Sequence, residues 1–532
     1  NGQLYFYTNS YLNIGEKKLT ISSTGSVSNY NSNQYIVTNG ALSDQGVCKE
    51  FATAGSFTFP VGVGTEGGKY TPATMNVTNT GGVAGSITVK PVDQPHPMRT
   101  EMVLDDELQY FWNVTSAGFN NPTVSHTYTY SELDVLGTET AYINARMYDF
   151  VWYKQTEAVD YTNNLIKFTG VNYIDGDYTA GAVGNWGDIH KYYSRATGNW
   201  ENAGTWYLDS PTGPTVAGTA PNGNPVFIQA GHTVTTNQDG AYAGSVDIAA
   251  TATLDLGSKL GHNMGYISGG GTIKIDATGA GSFMFPGGDP SVFMNTTGST
   301  VHYSGAGTIP SNIETYQNIL FSGNGDKTIP ATNITVRGNL TIDDGYLNNS
   351  INNRTITLHG NWINNVAGGY KYGISTVVLA NGNAQTISAT GGETFYNLTV
   401  NKSAGTVATL NSPVSVNRVL TLTSGIVNTE TNLLTLTWGD ASAVVGGSTT
   451  SFIDGPLRKS VYNSGSFTFP VGDDGRYGPV YISGVTSSGN QYWTGRYYNV
   501  APANQTNLAA PLKLVSNNEY WEVTGVAGTT AN

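Results

Sequence analysis

Through the middle of the chain, apolar and polar residues alternate in short runs that each close on a glycine: PVFIQAG, GSVDIAATATLDLG, GTIKIDATG, NILFSG, NLTIDDG, TITLHG, TVVLANG, NLTVNKSAG, VLTLTSG and LLTLTWG. Alternation is the period of a strand, in which successive side chains leave opposite faces. The closing glycines supply turns. In the second half of this region the runs begin at 318, 339, 355, 376, 397, 419 and 433, so the steps are 21, 16, 21, 21, 22 and 14 residues. A pitch near 21 with one strand-rich unit per step predicts a parallel β-solenoid over 213–451. No stretch carries a helical period. One rung buries about four apolar side chains at ~1.5–3 kcal/mol each. Ordering its roughly 21 residues costs ~1–2 kcal/mol apiece, so a lone rung cannot stand and stacking is required. Asn318, Asn333, Asn339 and Asn397 precede strands, where asparagine suits a left-handed corner or bridges stacked rungs through its amide.

The flanks have a different texture. Residues 1–49 hold short alternating strands and read as the strand-rich end of a preceding unit. Residues 50–182 read as a β-sandwich, 183–212 as a linker leading into the solenoid, and 452–532 as a partial second sandwich repeating about 50–120. The repeat rests on an octapeptide, GSFTFPVG, found at Gly55–Gly62 and again at Gly465–Gly472, an offset of 410 residues (465 minus 55). Its phenylalanines alternate with threonine, as on one face of a strand, and the proline removes a ladder donor, so the strand is expected to end there with the last glycine in a turn. A basic residue, tyrosine and proline follow both copies, at Lys69, Tyr70, Pro72 and at Arg476, Tyr477, Pro479. Trp112 in ELQYFWNVTSAG then aligns with Trp521 in NNEYWEVTGVAG. The fold class expected is therefore all-β, sandwich domains alternating with a parallel solenoid, each sandwich covering exposed edges of the stack. The second copy breaks off soon after Trp521, from which we expect a longer, repetitive polypeptide.

Composition narrows the function. Only 11% of the 532 residues are charged, glycine supplies 67 and tyrosine 33, so surface polarity falls to Thr, Ser, Asn and Tyr. A net charge of −13 repels phosphate and argues against nucleic acid or an anionic membrane as partner. No apolar run is long enough to span a bilayer as a helix, so membrane insertion is not expected. Cys48 is the only cysteine, which excludes an internal disulfide, and it reads as a small buried or loop residue.

Two long stretches resemble a known group. The segment ETFYNLTVNKSAGTVATLNSPVSVNRVLTLTSGIVNTETNLLTLTWG with the following SFIDGPLRKSV and SFTFPVGDDGRYGPVYI, and the earlier YYSRATGNWENAGTWYLD with APNGNPVFIQAGHTVT, resemble the large repetitive surface and secreted proteins that Bacteroidota export by the type IX system. The resemblance implies an extracellular, adhesin-like, repeat-built protein. The carboxy-terminal sorting domain carried by some of these proteins has no counterpart in the sequence, so the export route stands as an implication of the resemblance.

Candidate chemistry is sparse. GVGTEG matches a G-x-G-x-x-G pattern at Gly62, Gly64 and Gly67, but no helix pattern follows, and a turn is expected. The seven histidines form no metal-ligand spacing. Acidic turns at Asp343, Asp344, Asp473 and Asp474 are the candidates for Ca²⁺, against the commoner reading of Asp-Gly as plain turn chemistry. Trp200, Trp206 and Tyr207 are the candidates for stacking on a glycan, as are Trp152 and Tyr153, against filling a core. No catalytic residues and no cofactor are expected. The function expected is a structural, adhesive fibre or stalk at the cell surface, with surface glycans or neighbouring copies of itself as partners. A carbohydrate-binding module is the alternative, and a polysaccharide-degrading enzyme on the solenoid the third.

Overall fold

In the computed structural model, which describes residues 2–99, 106–277, 281–486, 489, 491–526 and 530–531, the chain is all-β. Among the described residues the single α-helix is one turn, Ser291–Asn295, within the predicted solenoid span. Asp289 Oδ1 accepts from the Ser291 N–H at 2.8 Å, and Phe293 and Met294 are buried. Five residues are too few for a 3.6-residue period to show in the sequence. The chain divides into two compact units, Asn1–Thr253 with Leu260–Gly269 and Pro286–Asn295, and Leu254–Lys259 with Gly270–Phe285 and Thr296–Asn532. The division falls inside the span read as solenoid.

The second unit is a parallel β-solenoid whose rungs feed three ladders, and it ends in antiparallel strands, Leu457–Val461, Gln491–Tyr498 and Tyr520–Gly525. In one, Thr300–Ser304, Asn318–Ser322, Leu340–Ile342, Trp362–Asn364, Gln385–Ala389 and Val407–Leu410 pair in succession. Val301, Ile319, Leu340, Trp362, Ile387 and Leu410 stand in register along it, all buried. In the next, Ile356, Val377, Leu398 and Leu420 form a second buried column. A short third ladder joins Gly307–Thr308, Asp326–Thr328, Tyr346–Asn348 and Tyr370–Lys371. Steps of 21 and 22 in the sequence are thus advances along one ladder, and the step of 16 is a change from one ladder to another. The long strand Val414–Ser424 pairs with both Leu434–Leu436 and Val444–Gly446, which accounts for the short last step.

The asparagines bind rung to rung. Asn318 Oδ1 accepts from the Asn339 N–H (2.8 Å), Asn339 Oδ1 from the Asn361 N–H (2.9 Å), Asn333 Oδ1 from the Thr355 N–H (2.9 Å) and Asn397 Oδ1 from the Val419 N–H (3.3 Å). None of the four has a positive φ, so the bridging role holds and the left-handed corner does not.

The first unit opens with rungs of the same kind. Leu12–Gly15, Ile36–Thr38 and Val61–Val63 pair in parallel, as do Leu19–Ile21 and Val47–Phe51. Antiparallel sheets follow. Leu165–Val171, Thr123–Thr129, Ala73–Asn79 and Gly55–Phe59 form one sheet. In another, Phe111–Ala117 lies between Gly85–Val92 and Gly176–Ala182. A single core takes Phe59, Met75, Val124 and Phe168 from the first sheet and Val47, Ile87, Trp112 and Tyr178 from the second. Parallel pairing then resumes at residues placed in the predicted linker, with Tyr192–Ser194, Pro225–Ile228, Ser245–Ile248 and Asn263–Ser268 in order.

Candidate functional site

The octapeptide is a switch between two kinds of pairing, and it is built the same way in both units. In the first unit its leading half pairs antiparallel, with Phe57 opposite Met75 and Phe59 opposite Ala73. Beyond Pro60 its trailing half joins a parallel ladder, Val61 beside Ile36. In the second unit Phe467 faces Ile482, Phe469 faces Val480, and Val471 lies beside Ile453. Proline lacks the N–H that either ladder would use, so the break falls there. The strand does not end in a turn at the last glycine, as the sequence suggests: Gly62 and Gly472 lie within the next strand. A Cβ on Gly62 would collide with the Lys69 carbonyl and sit 2.7 Å from the Tyr35 ring; one on Gly472 would collide with the Arg476 carbonyl and the Phe452 ring. Only glycine fits against the aromatic plug on each side.

Three further strands repeat the registers. Val89 lies between Val47 and Val114, and Gly495 lies between Leu457 and Val523. Trp112 Nε1 donates to the Thr71 carbonyl (2.9 Å), and Trp521 Nε1 to the Gly478 carbonyl (2.8 Å), each acceptor immediately before a proline.

Each switch also carries a buried lysine that the sequence reading missed. Lys49 donates to the carbonyls of Ser22 (2.5 Å), Ser23 (3.0 Å) and Gly25 (2.9 Å) and lies 5.3 Å from the Phe57 ring centroid. Lys459, 410 residues on, donates to the carbonyls of Trp438 and Ser460 and lies 5.2 Å from the Phe467 ring. Burial pulls both ammonium groups down in pKa, Lys459 to about 8. Lys402 in the solenoid interior is likewise held by the Asn383 carbonyl (2.8 Å) and Gln385 Oε1, and burial lowers it to about 8. The constant offset between Lys49 and Lys459 was the available signal.

The residues singled out for ligands fall elsewhere. Trp200 and Trp206 are 2% and 0% exposed, packed edge to face at 5.4 Å, with Trp206 Nε1 donating to the Trp200 carbonyl. They fill a core and offer no stacking platform. Tyr207 is half-buried with the Arg195 guanidinium 4.9 Å from its ring. Trp152 is buried, while Tyr153 is exposed. Asp343 Oδ1 accepts from Asn365 Nδ2 (3.0 Å), Asp344 Oδ1 from the Gly345 N–H (2.8 Å), and Asp473 Oδ2 from the Asn499 N–H (2.9 Å); Asp474 has φ 48°. Asp343 bonds to the next rung, Asp473 ends the strand Val471–Asp473, Asp344 sits at a bend and Asp474 in a turn; among the described residues no three His, Cys, Asp or Glu side chains gather as a ligand set. Gly64 and Gly67 take the left-handed turn conformation expected of them.

Among the described residues, a cavity with carboxylates in its wall lies in each unit. That of the first, about 500 Å³, is lined by Met98, Asn113, Met147, Phe150, Asp175 and Asp177 among others. Asp177 there accepts from Asn113 Nδ2 (2.6 Å) and pairs with the buried His96 (3.1 Å). That of the second, about 480 Å³, meets Tyr370, Lys371, Tyr372 and Glu393. Glu393 accepts from Trp362 Nε1 (2.6 Å), Asn364 Nδ2 (2.9 Å) and the Thr394 N–H (2.9 Å), and its burial raises its pKa. These carboxylates tie neighbouring strands together. No protein-family model matches the chain, and neither a curated protein nor a solved structure does.

Proposed function

We propose that this chain is a structural, adhesive repeat protein of the cell exterior, a spacer that works by resisting deformation and not by turning over a substrate. The observation that carries the reading is the twice-built switch: the same octapeptide, an aromatic plug, glycine contact, tryptophan hydrogen bond and buried lysine, at offsets of 407 to 417 residues and in equivalent registers. A catalytic site needs no such duplication, whereas a load-bearing array is made by repeating one joint. In the solenoid successive rungs are held to one another by ladder bonds and apolar columns, and between 318 and 419 by asparagine bridges as well. The exterior location rests on the resemblance of the sequence motifs to exported surface proteins.

Single-molecule stretching of the chain, tethered at its two ends, tests this. A load-bearing spacer gives discrete rupture events as rungs shear. Smooth extension without rupture, as for an unstructured chain of equal length, would refute the proposal.

A further inference from the structure

The first switch holds a charged triad that its second copy does not repeat. Lys69, in the short strand Lys69–Tyr70, lies opposite Val63 and directs its ammonium to both Asp93 and Asp134. Asp134 closes the turn Glu132–Asp134, where its carbonyl accepts from the Gln109 N–H at 2.7 Å, and its side chain is completely buried. Its second oxygen, Oδ2, has no hydrogen-bond partner among the described residues. The buried Tyr110 ring lies 5.9 Å from the ammonium. Asp93 follows the strand Gly85–Val92 and stays partly exposed. In the second copy Arg476 takes the corresponding place, opposite Asp473, and its guanidinium pairs with Glu519 at 3.1 Å.

An ion pair in an apolar setting loses to desolvation much of what attraction supplies, and condensation to an amide removes both charges. We infer that Lys69 and Asp134 condense, with Asp93 as proton carrier, into an amide that cross-links the first unit. Burial pulls the Lys69 ammonium down in pKa and the two acids more than offset it, so the triad starts ionised. Burial raises Asp134 to about 6, which eases its protonation. The ammonium passes one proton to Asp134, leaving a neutral amine beside a neutral acid. Nζ then bonds to Asp134 Cγ. Asp93 accepts a second proton from Nζ and returns it to the Asp134 hydroxyl, which departs as water. The products are one amide, one water and Asp93 in its starting carboxylate form; nothing is oxidised or reduced. Free in water, an amine and an acid do not condense in this way, but groups held in contact reach effective concentrations of ~10⁵–10⁸ M. Arginine stays charged and is no nucleophile, so the second switch keeps an exchangeable pair.

The bond joins residues 65 apart and encloses the strands Ala73–Asn79, Gly85–Val92, Phe111–Ala117 and Thr123–Thr129. Tension along the chain then passes through the amide and bypasses all four. The full chain, purified in its folded state, is weighed by intact mass spectrometry. The expected mass lies one water below that of the sequence, and a protease digest yields one branched peptide joining the segments around Lys69 and Asp134. Lys69→Arg and Asp134→Ala each have the full mass of their own sequences. Asp93→Asn keeps both reacting groups and loses the water more slowly than the parent. Slow hydrogen exchange at Ala73–Asn79 marks a variant as folded. Stretched from its ends, the parent releases about 220 Å less chain than Lys69→Arg, the contour of the enclosed residues at ~3.3–3.6 Å each. The mass and branched peptide of the parent decide the matter even where a variant fails to fold. The full sequence mass in the folded parent overturns the inference. So does a loss of one water that survives Lys69→Arg, which would place the dehydration elsewhere. Either result leaves rupture under load untouched, so the two proposals stand or fall separately.

Discussion

If the second unit is stiff because its apolar columns are continuous, one column residue should show it. Leu398 is 1% exposed and lies in register between Val377 and Leu420. Leu398→Ala removes three carbon groups worth about 0.8 kcal/mol each, or about 2.4 kcal/mol of transfer free energy. The void left between two in-register neighbours, themselves fixed by their own ladders, cannot collapse fully and adds to this, for a cost of about 3 kcal/mol within the ~2–5 kcal/mol range of such truncations. Rungs touch only their neighbours, so the loss should be local to Thr376–Asn381, Glu393–Lys402 and Val414–Ser424. A midpoint of bulk denaturation would blur this in a chain of two units. Native-state hydrogen exchange resolves it. A 3 kcal/mol loss speeds opening by about a hundredfold, and amides in those three strands should exchange faster by that factor while Ala73–Asn79 in the first unit keeps its rate. An acceleration below about threefold in the three strands, against the hundredfold worked out above, would show that the interior adapts and that the column does not bear the load. Equal acceleration in both units would refute the nearest-neighbour reasoning.

The switch glycines give a second expectation: Gly62→Ala and Gly472→Ala each destabilise by about 1–3 kcal/mol, read as faster exchange at Ile36–Thr38 and Ile453–Asp454. Because a carbonyl is one of the colliding atoms, trimming the ring by Phe452→Ala restores less than half of the loss. Stability of the second unit should rise between about pH 8 and 9.5, by up to ~1.4 kcal/mol per pH unit for each of two lysines. Lys402 and Lys459 release their protons near pH 8 when folded against 10.5 when unfolded, so over this window the unfolded chain binds more protons and raising the pH favours folding. Buried tyrosines oppose this only above about pH 10. Thermal melting across that window checks the sign, and Lys402→Met should remove its share of the slope. Trp112→Ala should cost about 3–5 kcal/mol, and Trp521→Ala, starting 42% exposed, less than half as much.

Much of the architecture was legible because alternation and pitch report directly on strands and stacking. The pitch of 21 was visible at Asn318 and Asn339, and the asparagine bridges followed from the chemistry of a side-chain amide beside a ladder. Which strand pairs with which was not legible: alternation announces a strand without naming its neighbour, so Asn339 and Thr355 read as successive rungs although they feed different ladders. Proline in the octapeptide reads as an end because it removes a donor, yet the same property lets Val61 begin a new strand in another sheet. The burial of Lys49, Lys402 and Lys459 is not legible because a lysine between apolar residues scores as polar, and only the carbonyls of distant residues explain it. Trp200 and Trp206 illustrate the converse, since composition cannot tell an aromatic surface from an aromatic core.

The duplicated switch bears on inheritance. Since both octapeptides are identical and each pairs antiparallel before the proline and parallel after it, a crossover between their coding sequences would join Phe59 directly to Pro470 and keep both kinds of pairing at the joint. Homologous recombination could then remove or add whole modules in frame, lengthening or shortening the product without an intermediate that fails to fold.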